Sequence, residues 1–430
     1  MNICMFTNTY LPHVGGVANS VHTFAADLRR SGNRVLIIAP IYPGSDDYDK
    51  EKKDHDILRV PAIKEFNGSD FSMRIPIPFY IKEKIDAFEP DVIHSHHPYM
   101  MGDAAFRTAR QKRLPLVFTH HTRYEEYVHH VAFDSDAFQA FAINLSTQYA
   151  NLCDRIIAPS GSIAQLLQKR GVQKNIHVIP TGVDTDRFKK GDKKAFCRAR
   201  NIPESAFIIG HVGRLAPEKS LEYLAGAVVK AIKTEPDAVF MVVGEGPSQT
   251  DILNIFKKNN LDQQLIFTGN LQGQKLVDAY HAMDVFAFAS LSETQGMVLT
   301  EAMAAGVPVI ARDAPGVREV LKNDENGIMV SGEASEDEFS QALEITLKQP
   351  EKLSDWRLDT IATANDFSRG KSAELLQDLY RSAIIEFKDS PENTGNDVET
   401  WESVALRLQA EWGLLVEKTK SLFETIQGDT

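Results

Sequence analysis

The chain has 430 residues, 43% apolar and 25% charged, with 47 Lys and Arg against 59 Asp and Glu and a formal net charge of −12. That length suits two to three domains with sizeable cores, and the acidic balance excludes a broad nucleic-acid-binding face, which needs clustered basic residues. Three widely separated cysteines, Cys4, Cys153 and Cys197, match neither a zinc spacing nor a disulfide framework and are expected as reduced, buried thiols in a cytoplasmic protein.

The N-terminal MNICMFTNTY lacks the charged-then-apolar form of a secretion signal; NICMFT (2–7) reads as a first strand running into a turn-rich loop. GVANSVHTFAADLRRSG has helical spacing and stops at Gly32, and RVLIIAP (34–40) is the next strand. DYDKEKKDHD (47–56) mixes charges and is expected as a solvated loop. FSMRIPIPFYIKEKI (71–85) is apolar and proline-marked, and two readings are open: a core loop with a helix, or an exposed apolar lip. Strands follow at DVIHSH (91–96), LVFTHH (116–121), RIIAPS (155–160) and IHVIPTG (176–182), with helical stretches between them. The polar, lysine-rich GVDTDRFKKGDKKAFCRARNIPES, from about 183 to 205, reads as an interdomain linker. The alternation then restarts with FIIGHVGRL (207–215), AVFMVVGEGP (238–247), LIFTGN (265–270), DVFAFAS (284–290) and VPVIARD (307–313).

Strand–helix alternation means βαβ units and parallel sheets covered on both faces. The expected fold class is therefore α/β, with two doubly wound Rossmann-like domains facing across a cleft. They are placed at 1–185 and 186–365, with 366–388 packing back on the first. After a second linker, KDSPENTGNDVET, apolar residues from Trp401 to Ile426 recur at helical spacing. That amphipathic helix is expected to pack on its own protein or on a second subunit, which keeps a homo-oligomer open; its acidic lean weighs against membrane insertion. No apolar run approaches the ~20 residues that span a bilayer.

Ligands in such sheets bind at the carboxyl ends of the strands, so the strand-to-helix loops hold the candidates. ASLSETQGMVLTEAMAAGVPVIA (289–311) sets Glu293 and Glu301 on either side of Gly296. A helix ending at Gly306 and starting near Thr294 to Met297 offers free N–H groups and a dipole to an anion. Eight helical residues rise about 12 Å, whereas paired carboxylates in a retaining glycosidase stand about 5–5.5 Å apart. The spacing suits a ligand with a diphosphate in its middle and hydroxyl-rich ends. The plainer alternative is that Glu293 caps the helix and Glu301 is merely exposed. GHVGRLAPEKS (210–220) supplies Arg214 and Lys219, which can neutralise a leaving diphosphate or form a surface ion pair with Glu218. VVGEGP (242–247) and PHVGGVANS (12–20) add glycines at two further strand ends, which let a ligand approach the backbone.

The Gly-Gly after the first strand, GRLAPEK, VGEGP and Glu-x7-Glu occur in this order. Together they resemble the family 4 retaining glycosyltransferases of the GT-B fold, over residues 1 to about 385. The resemblance implies that Arg214 and Lys219 hold the diphosphate of a nucleotide sugar and Glu301 its ribose. Glu293 contacts the donor sugar beside the N–H groups of Gly296, Met297 and Val298, while Gly244, Glu245 and Gly16 belong to the donor side. It gives His121, at a strand end, hydrogen bonding to the sugar rather than the role of base. One departure is Ser220, where the family usually has glycine; opening a helix, Ser220 is expected to cap it.

HTRYEEYVHH and SETQG further resemble the bacterial diacylglycerol glucosyltransferases. That branch implies UDP-glucose as donor and diacylglycerol as acceptor, with His120, Tyr124 and Tyr127 on the acceptor side. It also implies peripheral docking at the inner face of the cell membrane, helped by Arg74, Lys82 and Lys84. No cofactor or metal is required, since the cations replace a divalent ion. His120, His121, His129 and His130 lack a zinc-binding spacing, and the Asp-x-Asp strings at 134–136 and 184–186 do not follow strands. Three alternatives stay open: a soluble or glycan acceptor, a non-hydrolysing sugar-nucleotide epimerase, and a non-catalytic nucleotide-sugar-binding protein.

Overall fold

The computed structural model describes residues 1–13, 15–42, 44–52, 56–61, 79–126, 136–233, 235–389, 400 and 402–407. The chain forms two compact units, Met1–Pro180 with Ser372–Thr430, and Thr181–Lys371.

The first unit is built on a seven-stranded parallel sheet. Its strands are β1 (Asn2–Phe6), β2 (Arg34–Pro40), β3 (Ile57–Val60), β4 (Val92–Ser95), β5 (Leu116–Thr119), β6 (Arg155–Ala158) and β7 (Ile176–Val178), in the spatial order β3-β2-β1-β4-β5-β6-β7. The order reverses direction between β1 and β4, the point at which open parallel sheets take ligands. β1 and β4 bury Cys4, Phe6 and Ile93 on one face and Ile3, Met5 and Val92 on the other, and β4 ends in the buried polar pair His94 and Ser95. Both faces are therefore buried, as a parallel sheet requires. The second face is closed by the last long helix, Arg369–Asp389, whose Leu376, Leu379 and Tyr380 join its core. Tyr380 also reaches the sheet itself, its hydroxyl 2.6 Å from His94 Nδ1.

The second unit holds a six-stranded parallel sheet of β8 (Phe207–Val212), β9 (Ala238–Val243), β10 (Leu265–Gly269), β11 (Val285–Phe288), β12 (Val309–Arg312) and β13 (Gly327–Val330), ordered β10-β9-β8-β11-β12-β13. Its reversal falls between β8 and β11. The two doubly wound α/β units match the expected fold class.

Two local readings are corrected. The supposed linker is part of the second unit: it folds as short helices Thr185–Phe188 and Lys193–Arg198, capped by Asp184 and Asp192, and buries Phe188, Phe196 and Cys197. Part of the supposed charged loop is the helix Ser45–Lys52, from which Asp49 pairs with Arg59 of β3 at 2.8 Å. Strands β3 and β13 are short and flanked by charged turns, and the sequence pattern does not announce them. Of the C-terminal amphipathic stretch, 402–407 is helical; Ala405 is buried and Val404 packs in the first unit's core, with Glu402 3.1 Å from Arg107. The remainder of that stretch, like 62–78, lies outside the described residues. Among the described residues no helix is long and apolar enough to cross a membrane.

Candidate functional site

In the second unit, the loops after β8, β9 and β11 carry the candidates. Gly244 and Gly246 have φ of +135° and +155°. A Cβ on Gly244 would lie 1.9 Å from the Gly213 carbonyl oxygen, and one on Gly246 2.3 Å from that of Leu215. These glycines let two backbones touch, a reason the sequence reading, which assigned them to ligand approach, did not supply. The loops are then tied by Gly213 N–H to Val243 C=O and Leu215 N–H to Glu245 C=O, both 3.0 Å. Glu245 itself is exposed and accepts from Asn270 Nδ2 at 3.0 Å.

Arg214 pairs with Glu218, the plainer of its two readings, and is 55% exposed. Lys219 reaches across to the next loop, its ammonium 2.5 Å from Glu293 Oε1, and both side chains are largely shielded at 17% and 21% exposure. A partly shielded ion pair is screened less by salt than an exposed one. Each of the two predicted cations thus has a carboxylate partner.

The helix after Glu293 begins at Met297 and runs to Ala304, with Gly296 at φ +71° as its cap residue and no side chain capping it. The eight positions from Glu293 to Glu301 are therefore loop and then helix, and the 12 Å rise expected of a continuous helix does not apply. Glu293 does not cap the helix, and Glu301 is not merely exposed. Glu301 accepts a 2.8 Å hydrogen bond from the hydroxyl of fully buried Tyr280. Burial raises the Glu301 carboxyl pKa, while the Tyr280 hydroxyl and the Arg187 charge oppose that rise.

Gln295, quoted above only as part of SETQG, has a structural task. Its amide accepts from Thr181 N–H at 2.8 Å and donates to Thr181 C=O at 2.6 Å. Gly316 closes the other side, its N–H 3.2 Å from Glu293 C=O. The glutamate loop is thus clamped by backbone on both sides. Pairing of an amide with a backbone N–H and C=O is invisible in sequence because the partner is 114 residues away.

Ser220 does not cap its helix. Its φ is +52°, left-handed, and it makes no side-chain capping bond to the helix Leu221–Ile232. A left-handed L-residue costs about 1–2 kcal/mol that glycine avoids. Ser220→Gly is expected to stabilise the protein by about 1 kcal/mol, measured as a higher denaturant midpoint; an unchanged midpoint refutes the strain. Asp184 and Asp186 of the second Asp-x-Asp string have structural partners, Arg369 at 3.3 Å and Lys189 at 2.5 Å.

In the first unit, Gly15 and Gly16 open the helix Gly16–Arg30, whose N-terminus no side chain caps, and Gly16 is exposed. The ends of β4 and β5 gather five histidines. His94 lies 2.7 Å from Thr119 Oγ1, His97 Nδ1 accepts from Asn8 N–H at 3.0 Å, and His96 Nδ1 lies 2.9 Å from His121 Nε2. Burial pushes the pKa of His94 and His97 down to about 3 and that of His120 to about 4, and holds His96 and His121 well below the ordinary range. His120 is fully buried, and neither of its ring nitrogens has a hydrogen-bond partner; its ring meets that of Tyr124 edge-on, with centroids 5.6 Å apart. Arg123 and Arg170 hold Glu125 at 3.1 and 2.6 Å, which pins the turn carrying Tyr124. Tyr127, His129, His130 and Arg74 lie outside the described residues. Among those described, no group of three His, Cys, Asp or Glu is placed to hold a metal.

Residues 14–187 match the family described as Glycosyltransferase Family 4, and residues 192–360 match Glycosyl transferases group 1. The chain is 28% identical over 340 residues to an alpha-monoglucosyldiacylglycerol synthase of Streptococcus pneumoniae, covering 77% of this chain and 76% of the relative. It is 30% identical over 334 residues to a GDP-mannose-dependent alpha-mannosyltransferase of Mycobacterium tuberculosis, covering 77% and 84%. In structure it is similar to Anabaena Alr3699/HepE, solved in complex with UDP, with a TM-score of 0.73 at 19% identity, covering 89% of this chain and 100% of that one. The same protein has been solved with UDP-glucose.

Proposed function

Because the chain belongs to glycosyltransferase family 4 and is a glycosyltransferase, we propose that it moves glucose from UDP-glucose to the hydroxyl of diacylglycerol with retention of configuration. The observation that carries this reading is an assembly within the second unit: Lys219, on the loop after β8, pairs with Glu293 on the backbone-clamped loop after β11, and the uncapped helix start and Glu301 follow that loop. That assembly offers cations and free N–H groups to a diphosphate, and carboxylates to hydroxyl-rich groups beside it. The donor and acceptor rest on likeness to a monoglucosyldiacylglycerol synthase and to a fold solved with UDP-glucose.

In this proposal the phosphates replace Glu218 and Glu293 as partners of Arg214 and Lys219. Glu293, released, accepts from the sugar hydroxyls, and Glu301 accepts from the ribose while Tyr280 holds its other oxygen. Met297, Val298 and Gly296 offer N–H groups to the phosphates, and Gly244 and Glu245 line the donor side. The bond from the sugar's anomeric carbon to the leaving phosphate oxygen breaks. The acceptor hydroxyl oxygen bonds to that carbon on the same face, and its proton passes to the leaving phosphate. The protein supplies position and charge. His121 is assigned a hydrogen bond to the transferred sugar, and Gly16 a backbone approach to the phosphates. His120, Tyr124 and Tyr127 are assigned to the acceptor, and no metal takes part.

Glu301→Ala is expected to weaken UDP binding by about 1.5–3 kcal/mol for each hydrogen bond lost to the ribose. Calorimetry reads this directly, and unchanged affinity removes Glu301 from the donor site.

The acceptor is tested with vesicles. Lys82 and Lys84 are exposed on the helix Phe79–Phe88, and a basic residue near an anionic surface adds about 1 kcal/mol. Flotation with anionic vesicles is expected to carry the enzyme, and diacylglycerol within them is expected to be glucosylated at an undiminished rate in EDTA. Transfer only to a soluble acceptor refutes the lipid assignment. Transfer from GDP-mannose alone supports the likeness to the mannosyltransferase instead. Loss of activity in EDTA, restored by magnesium, refutes the metal-free mechanism.

A further inference from the structure

His96 and His121 follow neighbouring parallel strands, β4 and β5, and their backbones are fixed there. His96 N–H donates to Phe6 C=O at 3.0 Å, and the preceding His120 N–H donates to Ile157 C=O at 2.9 Å. The imidazoles stack at 25° with centroids 5.2 Å apart, and His96 Nδ1 lies 2.9 Å from His121 Nε2. Both rings are neutral at working pH, since burial and neighbouring histidines depress both. A single proton therefore lies between the two facing nitrogens.

Two arrangements are available. If His121 Nε2 carried that proton, His96 would carry its own on Nε2. That atom is buried and has no hydrogen-bond partner. A buried N–H without an acceptor is among the rarest defects in folded proteins, more so than an acceptor with an idle lone pair. If His96 Nδ1 carries the shared proton, only a bare lone pair is left idle at His96 Nε2. The second arrangement has the lower cost.

We propose that His96 is a positioning residue: its Nδ1–H donates to His121 Nε2 and so holds His121 in the tautomer protonated at Nδ1. In that tautomer, the His121 nitrogen not engaged with His96 carries a hydrogen. It can donate to a sugar oxygen and cannot take a proton from an acceptor. The functional half of this inference rests on the role proposed above for His121; the tautomer itself does not.

The tautomer is read in the donor-free, full-length protein labelled with 15N-histidine, by long-range nitrogen–proton correlation. Peaks are assigned by their loss in His121→Gln and His96→Asn. The expected result is a protonated Nδ1 and a bare Nε2 on His121; a protonated Nε2 overturns the proposal whatever the enzyme does. Kinetics supply the second arm, with UDP-glucose or GDP-mannose, whichever the enzyme uses. His96→Phe removes the donor and is expected to lower kcat about 10–100-fold, the usual range for an orienting partner, with KM nearly unchanged. His96→Asn, whose amide nitrogen stands close to the place of Nδ1, is expected to recover most of that loss. An Asn variant as poor as the Phe variant overturns the positioning role. The correct tautomer with no loss in either variant overturns the role of His121 in transfer while leaving the assigned proton in place.

Discussion

Lys219→Ala is expected to lower kcat by about 10²–10³-fold while the nucleotide-sugar KM rises by less than about tenfold, and Arg214→Ala to act in the same direction. Charge on the leaving phosphate is greater in the transition state than in the bound donor, so a cation aimed at it acts mainly on turnover. Lys219 should be the more sensitive. It is largely shielded and already engaged with Glu293, whereas Arg214 is more than half exposed. Lys219→Arg keeps the charge but not the compact ammonium, and is expected to fall between the two extremes. Steady-state release of the nucleoside diphosphate checks these values. A variant in which only KM moves would make the residue a ground-state anchor and sink the role in leaving-group stabilisation.

Acidification from pH 7 to pH 5 is expected to weaken the first unit far more than the second. His94, His97 and His120 of the first unit have folded pKa values of about 3, 3 and 4, and His211 of the second has one of about 4. All lie below the unfolded value of about 6.5. The unfolded chain therefore binds more protons between those limits, and stability is lost as pH falls through that window. Between pH 7 and 5 each such histidine removes about 2 kcal/mol, roughly 6 for the first unit against 2 for the second. Six kcal/mol is comparable to the whole stability of a typical domain. His96 and His121 add to the loss in the first unit. The raised carboxyl of Glu301 works the other way in the second, because its folded form holds a proton more readily as pH falls. Hydrogen exchange resolved by segment checks this: protection of β4 and β5 should fall more than about 10³-fold and that of β8 and β11 roughly 30-fold. Equal losses in the two sheets would refute the histidine account.

Strands with uninterrupted apolar runs, such as RVLIIAP and AVFMVV, were legible because burial on both faces leaves no polar position. ILRV of β3 and GIMV of β13 were not, being only four residues long beside DHD and NDENG. The segment from 183 to 205 misled because its core anchors, Phe188, Phe196 and Cys197, are few and set among lysines. At the candidate site the residue types and their order were readable, but their partners were not. Glu293 with Lys219, Glu301 with Tyr280 and Gln295 with Thr181 join residues 74, 21 and 114 apart. The pairing of His96 with His121 could have been anticipated. HSHHP and THH close consecutive strands of a doubly wound sheet, and those strands lie side by side. The φ of +71° at Gly296, which broke the assumed run of helix, had its clue in the glycine itself.

The helix Arg369–Asp389 finishes the core of a unit whose strands all lie before residue 180. On the ribosome, the 191 residues from Thr181 to Lys371 must be made before that helix begins to complete the first core. At 5–20 residues per second this takes about 10–40 s. During that interval Ile3, Met5, Val35 and Val92 lack the cover that Leu376, Leu379 and Tyr380 later give them, and His94 lacks its tyrosine. The unit translated second has its entire sequence available before the unit translated first. The nascent chain therefore has that face covered only in part, by Val21, Phe24 and Leu28 of the helix Gly16–Arg30, for tens of seconds, and a stop codon anywhere before about residue 376 leaves the cover incomplete.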